Sequence, residues 1–241
     1  MLTKTKGIVL QRTKYADTGL IVKIFTKEHG NVSFFVKNSF SKKSKFSNAL
    51  FAPLSLLELN FDYRKKSSLQ YFKEVTTYYQ YSSIPFNLSK NLIFIFYTEL
   101  ISKLLYETAE DEELFTCIEK QLIELDTTEV IRPDIHLIFM YELSRKLGFE
   151  PINNYDKDNC YFSIVNAQFA RDFINNEDLL SKEASYYLQQ IIIFYQNQEN
   201  ITLPSKNVRN ELLQGLIKYY LIHNEHIKSI DSVAILSNIF K

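Results

Sequence analysis

The segment VKNSFSKKSKFSN, residues 36–48, concentrates side chains that could bind phosphate. It contains four lysines, four serines and two phenylalanines, and it directly follows a run of alternating apolar residues. Lysine ammonium groups pair with phosphate oxygens as point charges, and small serine side chains can add hydrogen bonds. Neither group reads the identity of a base. The composition therefore predicts a loop that binds a polyanion without sequence specificity.

The charges of the 241-residue chain sum to zero but are unevenly distributed. Residues 1–80 contain 14 Lys and Arg against 5 Asp and Glu, a net charge of +9, and residues 81–241 contain 14 against 23, a net charge of −9. This asymmetry is expected when one domain faces a polyanion and the other does not. The alternative is that the two oppositely charged halves simply attract each other.

The candidate nucleic-acid-binding residues of the basic half fall into three groups. They flank the first predicted strand, fill the loop after the third strand and form the last hairpin turn. They are Lys4, Lys6, Arg12 and Lys14, then Lys37, Lys42, Lys43 and Lys45, and finally Arg64, Lys65 and Lys66. Loops after neighbouring strands of a barrel can converge on one face, so we expect a single groove.

Five strands are predicted before residue 80. Ile21–Phe25 and Asn31–Val36 are rich in β-branched and aromatic residues, and Gly30 in the loop between them can take positive φ. Residues 5–15, 53–63 and 68–78 supply three more strands. Because no helix-length periodic segment intervenes, a small closed β-barrel is favoured over a βαβ sheet.

Aromatic side chains of these strands could stack on nucleic-acid bases. They alternate along the strands, so about half of them must face the core and only the others could stack. The set considered is Phe34, Phe61, Tyr63, Tyr71 and Phe72.

The hydrophobic period changes after Ser82. Apolar residues then recur every three or four positions, which predicts helices. Around residues 149–171 the pattern lapses into turn-forming Asn and Asp with two short apolar patches, which indicates an irregular insert or small hairpin. Helices resume afterwards, with Ser205 as a candidate N-cap. The sequence therefore predicts an α+β protein with a β domain, residues 1–80, and a helical domain, residues 81–241.

No pattern for catalysis or metal binding is found. Cys117 and Cys160 lack a second Cys or a His at zinc-ligand spacing, and the five glycines are not clustered. The acidic run Glu107–Leu114 suits the start of a helix better than a metal site. We expect reduced thiols, no metal, no cofactor and no enzymatic activity; an enzyme with dispersed catalytic residues is the alternative. Neither an export signal nor a membrane-spanning run is predicted.

The first 60 residues resemble the amino-terminal barrel of the bacterial DNA repair protein family RecO. The resemblance rests on GIVLQRTKYADTGLIVKIFTKEHGNVSFFVKNSFSKKSKFSNALFAPLSLLEL, where Asp17 precedes the second strand and the basic run with Ser44 and Lys45 follows the FTKEHG turn. The tail YYLIHNEHIKSIDSVAIL is similar to the last helix of the family. The similarity therefore includes segments near both ends of the chain.

The resemblance implies a five-stranded oligonucleotide-binding (OB) fold barrel followed by a helical bundle, without catalysis. It also implies binding to single- and double-stranded DNA, strand annealing, and work with a RecR-type mediator protein and single-stranded-DNA-binding protein to help load a recombinase. We therefore expect a cytoplasmic, nucleoid-associated mediator of DNA repair and homologous recombination. The residues themselves leave open a barrel that binds RNA, in translation or RNA processing.

One departure from the family concerns zinc. Many members carry a four-cysteine zinc site after a Gly-x-x-Pro motif similar to residues 148–151, but this chain has Cys160 alone in that region. The resemblance therefore implies a zinc-finger-like position without ligands, and the insert must be held by packing.

Overall fold

The computed structural model describes residues 2–17, 19–37, 39, 45–106, 108–171, 178–197 and 201–236. The chain forms two compact units, Met1–Thr128 and Glu129–Lys241. The first contains a five-stranded sheet and two long helices, and the second contains the later helices and a two-stranded hairpin. The domain ranges predicted above, 1–80 and 81–241, follow from the change of hydrophobic period after Ser82 and from the charge distribution, and they stay a prediction.

The five predicted strands are confirmed. They pair as an antiparallel sheet in the order β3-β2-β1-β4-β5, and residues along β3 alternate between buried and half-exposed, as expected for a sheet with one face against a core. Their bounds are β1 Leu2–Tyr15, β2 Gly19–Thr26, β3 Gly30–Val36, β4 Leu56–Asp62 and β5 Phe72–Tyr79.

Strand β1 pairs with strands in both halves of the sheet. Its first half pairs with β4 and its second half with β2, with a register shift between Val9 and Gln11. Such a bulge bends a strand and increases its twist. At Gly7, where the two pairings overlap, a Cβ would lie 2.5 Å from Ile24 Cγ2 and 2.9 Å from Leu59 Cδ1. Glycine therefore lets the sheet curl tightly around its apolar core.

Among the described residues, the two edges of the curled sheet meet at one parallel bridge between Phe34 and Gln70. The Phe35 N–H donates to the Gln70 carbonyl at 2.9 Å, and the Gln70 N–H donates to the Ser33 carbonyl at 2.8 Å. The chain then turns away to pair with β4 from Phe72 onwards. The OB-type sheet is therefore bridged at one point, which corrects the prediction of a fully closed barrel.

The predicted change to helices is also confirmed. Asp111 caps one helix by accepting a hydrogen bond from the Leu114 N–H at 2.8 Å, and Ser205, predicted as an N-cap, accepts one from the Val208 N–H. The helices are α1 Leu88–Leu104, α2 Glu112–Thr127, α3 Ile135–Lys146, α4 Lys182–Asn197, α5 Lys206–His223 and the short α6 Val233–Leu236.

Helix α2 and the segment before it pack against the sheet within the first unit. The rings of Phe25 and Phe115 lie 5.9 Å apart, and the Asn31 N–H donates to the Thr108 carbonyl at 3.2 Å. A Cβ at Gly30 would lie 2.5 Å from the carbonyl carbon of Ala109. The β2–β3 turn therefore needs glycine both for its positive φ of 61° and for this approach.

The insert of the second unit folds as the small hairpin that the sequence indicated, with strands β6 Tyr161–Ser163 and β7 Gln168–Ala170. The rings of Phe162 and Phe169 lie 5.3 Å apart and are almost fully buried. The Asn154 side chain bonds both backbone polar groups of Phe169, at 2.8 and 2.9 Å. Cys160 is a buried free thiol. The described part of the chain contains no cluster of three His, Cys, Asp or Glu residues suited to a metal ion.

Candidate nucleic-acid interface

Nine of the eleven predicted DNA-binding residues lie in the described part of the chain, and all nine are exposed. Lys42 and Lys43 lie outside the described residues. The nine do not share one environment. They separate into cations that pair with carboxylates, cations that donate to backbone carbonyls, and cations at one end of the sheet or in the turn that follows β4.

Lys4 and Lys6 belong to the first kind. The Lys4 Nζ lies 3.1 Å from a carboxylate oxygen of Glu58 on the neighbouring strand. The Lys6 Nζ lies 2.8 Å from Glu119 of α2 and 4.4 Å from the centre of the Tyr78 ring. Both charges are balanced within the protein, so a phosphate at either site would compete with a carboxylate.

Arg12 and Lys14 lie in the half of β1 that pairs only with β2. They pair with the core residues Val22 and Leu20 of β2, and both are exposed. The Arg12 Nη1 donates to the Asn48 carbonyl at 3.2 Å. This bond holds Arg12 against the 3₁₀ turn Asn48–Phe51.

Lys37 and Lys45 flank the centre of the predicted phosphate-binding loop. Lys37 follows the last residue of β3. The Lys45 Nζ donates to the Lys73 carbonyl at 2.6 Å and lies 5.1 Å from the Phe46 ring centre. Phe46 packs edge-on against Phe72 of the core at 5.9 Å. The second arm of the loop is therefore attached to β5.

The basic turn, Arg64 to Lys66, is fixed by its backbone and not by its side chains. The Gln70 side chain accepts from the Arg64 N–H and donates to the Arg64 carbonyl, each at 3.0 Å. The side chains of Lys65 and Lys66 form no hydrogen bond or ion pair with the described residues around them. Their charges are therefore available to a phosphate.

Nearby charge also acts on Asp62 at the end of β4. A hydrogen bond from Lys73 lowers the pKa of this carboxyl below its ordinary value, and the Arg64 guanidinium lowers it further. Asp62 therefore remains ionised at neutral pH and pairs with Lys73 at 2.9 Å.

Strand register places Lys14 and Lys37 at one end of the sheet. Lys14 pairs with Leu20, and Leu20 pairs with Val36, so Lys14 and Lys37 lie at the same end of β1 and β3, the two strands that flank β2. We name Lys14 and Lys37 the basic end of the sheet.

The basic turn lies elsewhere on the sheet. Asp62, just before the turn, pairs with Leu2 at the start of β1, and Tyr63 stacks on His29 of the turn between β2 and β3. The bridge at Gln70 attaches the basic turn to the outer edge of β3.

The predicted aromatic set divides as alternation requires. Phe34, Phe61 and Phe72 are buried in the core, and Tyr63 is half-buried and stacks on His29 at 4.2 Å. Tyr71 alone of the five is exposed, at 59 %.

Two further aromatic residues near Tyr71 were missed in the sequence. Tyr15 is 54 % exposed and its ring lies 5.9 Å from that of Phe35, which in turn lies 6.0 Å from Tyr71. The signal that could have found Phe35 is the alternation of β3, since Phe34 points into the core and its neighbour must point outward.

A curled five-stranded sheet with OB connectivity, basic at one end and followed by helices, defines a protein of the oligonucleotide-binding-fold class. Comparison with known proteins narrows this class. Residues 1–81 match the family model "Recombination protein O N terminal", and residues 85–229 match "Recombination protein O C terminal". The chain belongs to the recombination protein O (RecO) family.

Whole-length relatives support the assignment. The chain is 33 % identical to the DNA repair protein RecO of Phocaeicola vulgatus, 34 % to that of Flavobacterium psychrophilum and 32 % to that of Bacteroides fragilis. Each comparison covers 100 % of both chains. Among the described helices, none combines the length and the apolar character that crossing a bilayer requires.

Proposed function

We propose that this protein is a mediator of DNA repair and homologous recombination. It binds single- and double-stranded DNA, anneals complementary strands and helps to load a recombinase onto DNA coated with single-stranded-DNA-binding protein. A RecR-type mediator protein and single-stranded-DNA-binding protein are its partners, and it works in the cytoplasm at the nucleoid. The observation that supports this proposal most strongly is the match to both RecO family models and to whole-length relatives. The basic end of an OB-type sheet is consistent with it.

Binding without catalysis is the proposed mode of action. Cations of the basic end and of the basic turn contact phosphates and release condensed counterions, which gives affinity that does not depend on sequence. The β domain, residues 1–80, is the DNA platform. The acidic helical domain, residues 81–241, docks protein partners, because its net charge of −9 disfavours contact with DNA.

The test is a salt series of binding to a fluorescent single-stranded oligonucleotide by wild type and Lys65→Ala/Lys66→Ala. Two lost phosphate contacts should reduce the slope of log affinity against log salt by about 1.4, from roughly 0.7 per contact. The matched control is Lys157→Ala/Lys182→Ala, which removes two exposed lysines from the second unit. An equal change of slope in both variants would contradict the placement of the DNA site.

Two further measurements address the function itself. Annealing of complementary strands coated with single-stranded-DNA-binding protein should be faster with the wild type than without it and slower with the Lys65/Lys66 variant. Competition by RNA of equal length should be weaker than competition by DNA. Preferred binding of RNA would instead favour the RNA-binding alternative, since contacts to the 2′-hydroxyl distinguish the two.

A further inference from the structure

Tyr15, Phe35 and Tyr71 form a continuous row of rings on the outer side of the sheet. Tyr15 meets Phe35 at an interplanar angle of 87°, and Phe35 meets Tyr71 at 79°. Tyr15 and Tyr71 are more than half exposed, whereas Phe25, Phe34, Phe61 and Phe72 are buried in the core of the sheet. We name these three residues the aromatic row.

The backbone brings the row together from three distant parts of the chain. Tyr15 pairs with Gly19, where a Cβ would lie 2.7 Å from Phe35 Cε2 and 2.7 Å from the Tyr15 carbonyl oxygen. Glycine is therefore what lets the Phe35 ring lie across this position toward Tyr15. At the other end, the bridge from Gln70 to β3 places Tyr71 beside Phe35.

Edge-to-face contacts stabilise the sheet and leave both outer tyrosines more than half exposed. An exposed ring face is the surface on which a nucleic-acid base stacks, and this interaction tolerates any base. A row of rings at about 6 Å spacing could receive consecutive unpaired bases. Bases inside a duplex are already stacked and cannot reach such a surface.

Charge around the row fits a nucleic acid and not an apolar protein segment. Lys14 precedes Tyr15, and Lys37 lies two residues after Phe35. The basic turn is held by Gln70 immediately before Tyr71, with Lys65 and Lys66 exposed. Cations at both ends of a strip of aromatic rings match a single strand, which alternates phosphates with bases.

The geometry points to the aromatic row as a base-stacking site for unpaired nucleotides of single-stranded DNA. This inference rests on the proposed function and deepens it, because it assigns the preference for single strands to residues separate from the phosphate contacts. The basic end and the basic turn then serve both forms of DNA, and the aromatic row serves only the single-stranded form.

The test uses Tyr71→Trp in the full chain, which introduces the only tryptophan of the protein. Titration with an unlabelled oligothymidylate should quench the tryptophan emission, because a base stacks on the indole. The matched control is Tyr186→Trp in α4, where the replaced tyrosine is 52 % exposed, and its emission should not change. Anisotropy of the same oligothymidylate carrying a fluorescent label measures binding independently in each sample.

A second variant, Tyr71→Leu, measures the contribution to affinity. Single-stranded binding should weaken about tenfold, and duplex binding should remain within about twofold of the wild type. If Tyr71→Trp binds DNA without quenching of its indole, or if Tyr71→Leu loses single-strand and duplex binding equally, the base-stacking site is overturned and the proposed function stays intact. Absence of any DNA binding by the wild type would instead overturn the proposed function.

Discussion

Substitution of Asp126 is expected to destabilise the first compact unit through the loss of a buried set of hydrogen bonds. Asp126 is 2 % exposed at the end of α2. Its carboxylate accepts from the backbone N–H groups of Ser82, Ser83 and Ile84 at 2.9, 2.8 and 2.9 Å, and from the Tyr79 hydroxyl at 2.9 Å. It therefore ties the end of β5 and the start of the helical segment to α2.

A buried lysine completes this arrangement. Lys90 of α1 is 3 % exposed, and its ammonium group donates to the main-chain carbonyls of Asp126 and Thr128 at 2.7 and 2.6 Å. It also donates to the Ser83 hydroxyl at 2.7 Å. The Ser83 hydroxyl also donates to the Asp126 carboxylate at 3.2 Å, so removal of the carboxylate would disturb a hydrogen-bond partner of this buried ammonium group, which adds to the cost.

The expected change in the free energy of unfolding follows from the number of hydrogen-bond donors that lose their acceptor. An unsatisfied buried donor costs about 1–3 kcal/mol, but water can reach the exposed Ser82. We expect Asp126→Ala to lower the free energy of unfolding of this unit by about 3 kcal/mol. Asp126→Asn keeps one acceptor oxygen and should cost about 2 kcal/mol. Both are large fractions of the roughly 5–15 kcal/mol of a typical domain.

The loss of folding stability at low pH should also depend on Asp126. Burial raises the pKa of Asp126, but hydrogen bonds from Ser82, Ile84 and Ser83 outweigh it, so the pKa in the folded state lies well below its ordinary value. The contribution is therefore complete above the unfolded pKa of about 3.9 and is lost as pH falls below it. The asparagine variant should lack this acid-dependent loss.

Urea unfolding followed by circular dichroism measures the change, with the linear dependence of free energy on urea. Hydrogen exchange of peptides that contain residues 82–84 gives the local readout, and these amides should exchange faster in both variants. Glu124→Gln, an exposed substitution on the same helix, is the control. If Asp126→Asn unfolds within about 0.5 kcal/mol of this control, the carboxylate does not have the role described.

Two other predictions concern the second unit. Burial lowers the pKa of His136 to about 4, so the folded state resists protonation while the unfolded state binds a proton near pH 6.5. Stability should fall by about 2 kcal/mol between about pH 7.5 and pH 5, and thermal unfolding of His136→Gln should show a smaller pH dependence. For the insert around Cys160, packing by Phe162 and Phe169 predicts that a zinc chelator leaves the unfolding temperature unchanged; a drop of several degrees would reveal a bound metal.

Local patterns in the sequence predicted most of the secondary structure. Strand positions followed from the alternation of residues 21–36, and helices followed from apolar spacing after Ser82 and from the Ser205 cap. These signals are readable because side-chain direction repeats every two residues in a strand and about every 3.6 in a helix. Single-point closure of the sheet at Gln70 was not predicted, because it depends on contact between edges far apart in the chain.

The candidate site was predictable only in part. The basic residues of the first 80 positions were visible as composition, but pairing of Lys6 with Glu119, 113 positions away, was not. The contacts of Tyr15 and Tyr71 with the Phe35 ring were likewise not predictable, because the three residues are far apart in the sequence. The sequence shows which residues are charged or aromatic, but contacts between segments distant in the chain decide which of these side chains remain accessible.

By itself, then, the amino-acid sequence determined the order of strands and helices, the oppositely charged halves and the resemblance to the RecO family. Tertiary structure decided that Lys4 and Lys6 pair with carboxylates while Lys65 and Lys66 remain exposed, and that Tyr71 joins an aromatic row. The physical reason is the distance along the chain over which each kind of interaction acts. Backbone geometry sets local periodicity within a few residues, whereas ion pairing and burial depend on which distant segments the fold brings into contact.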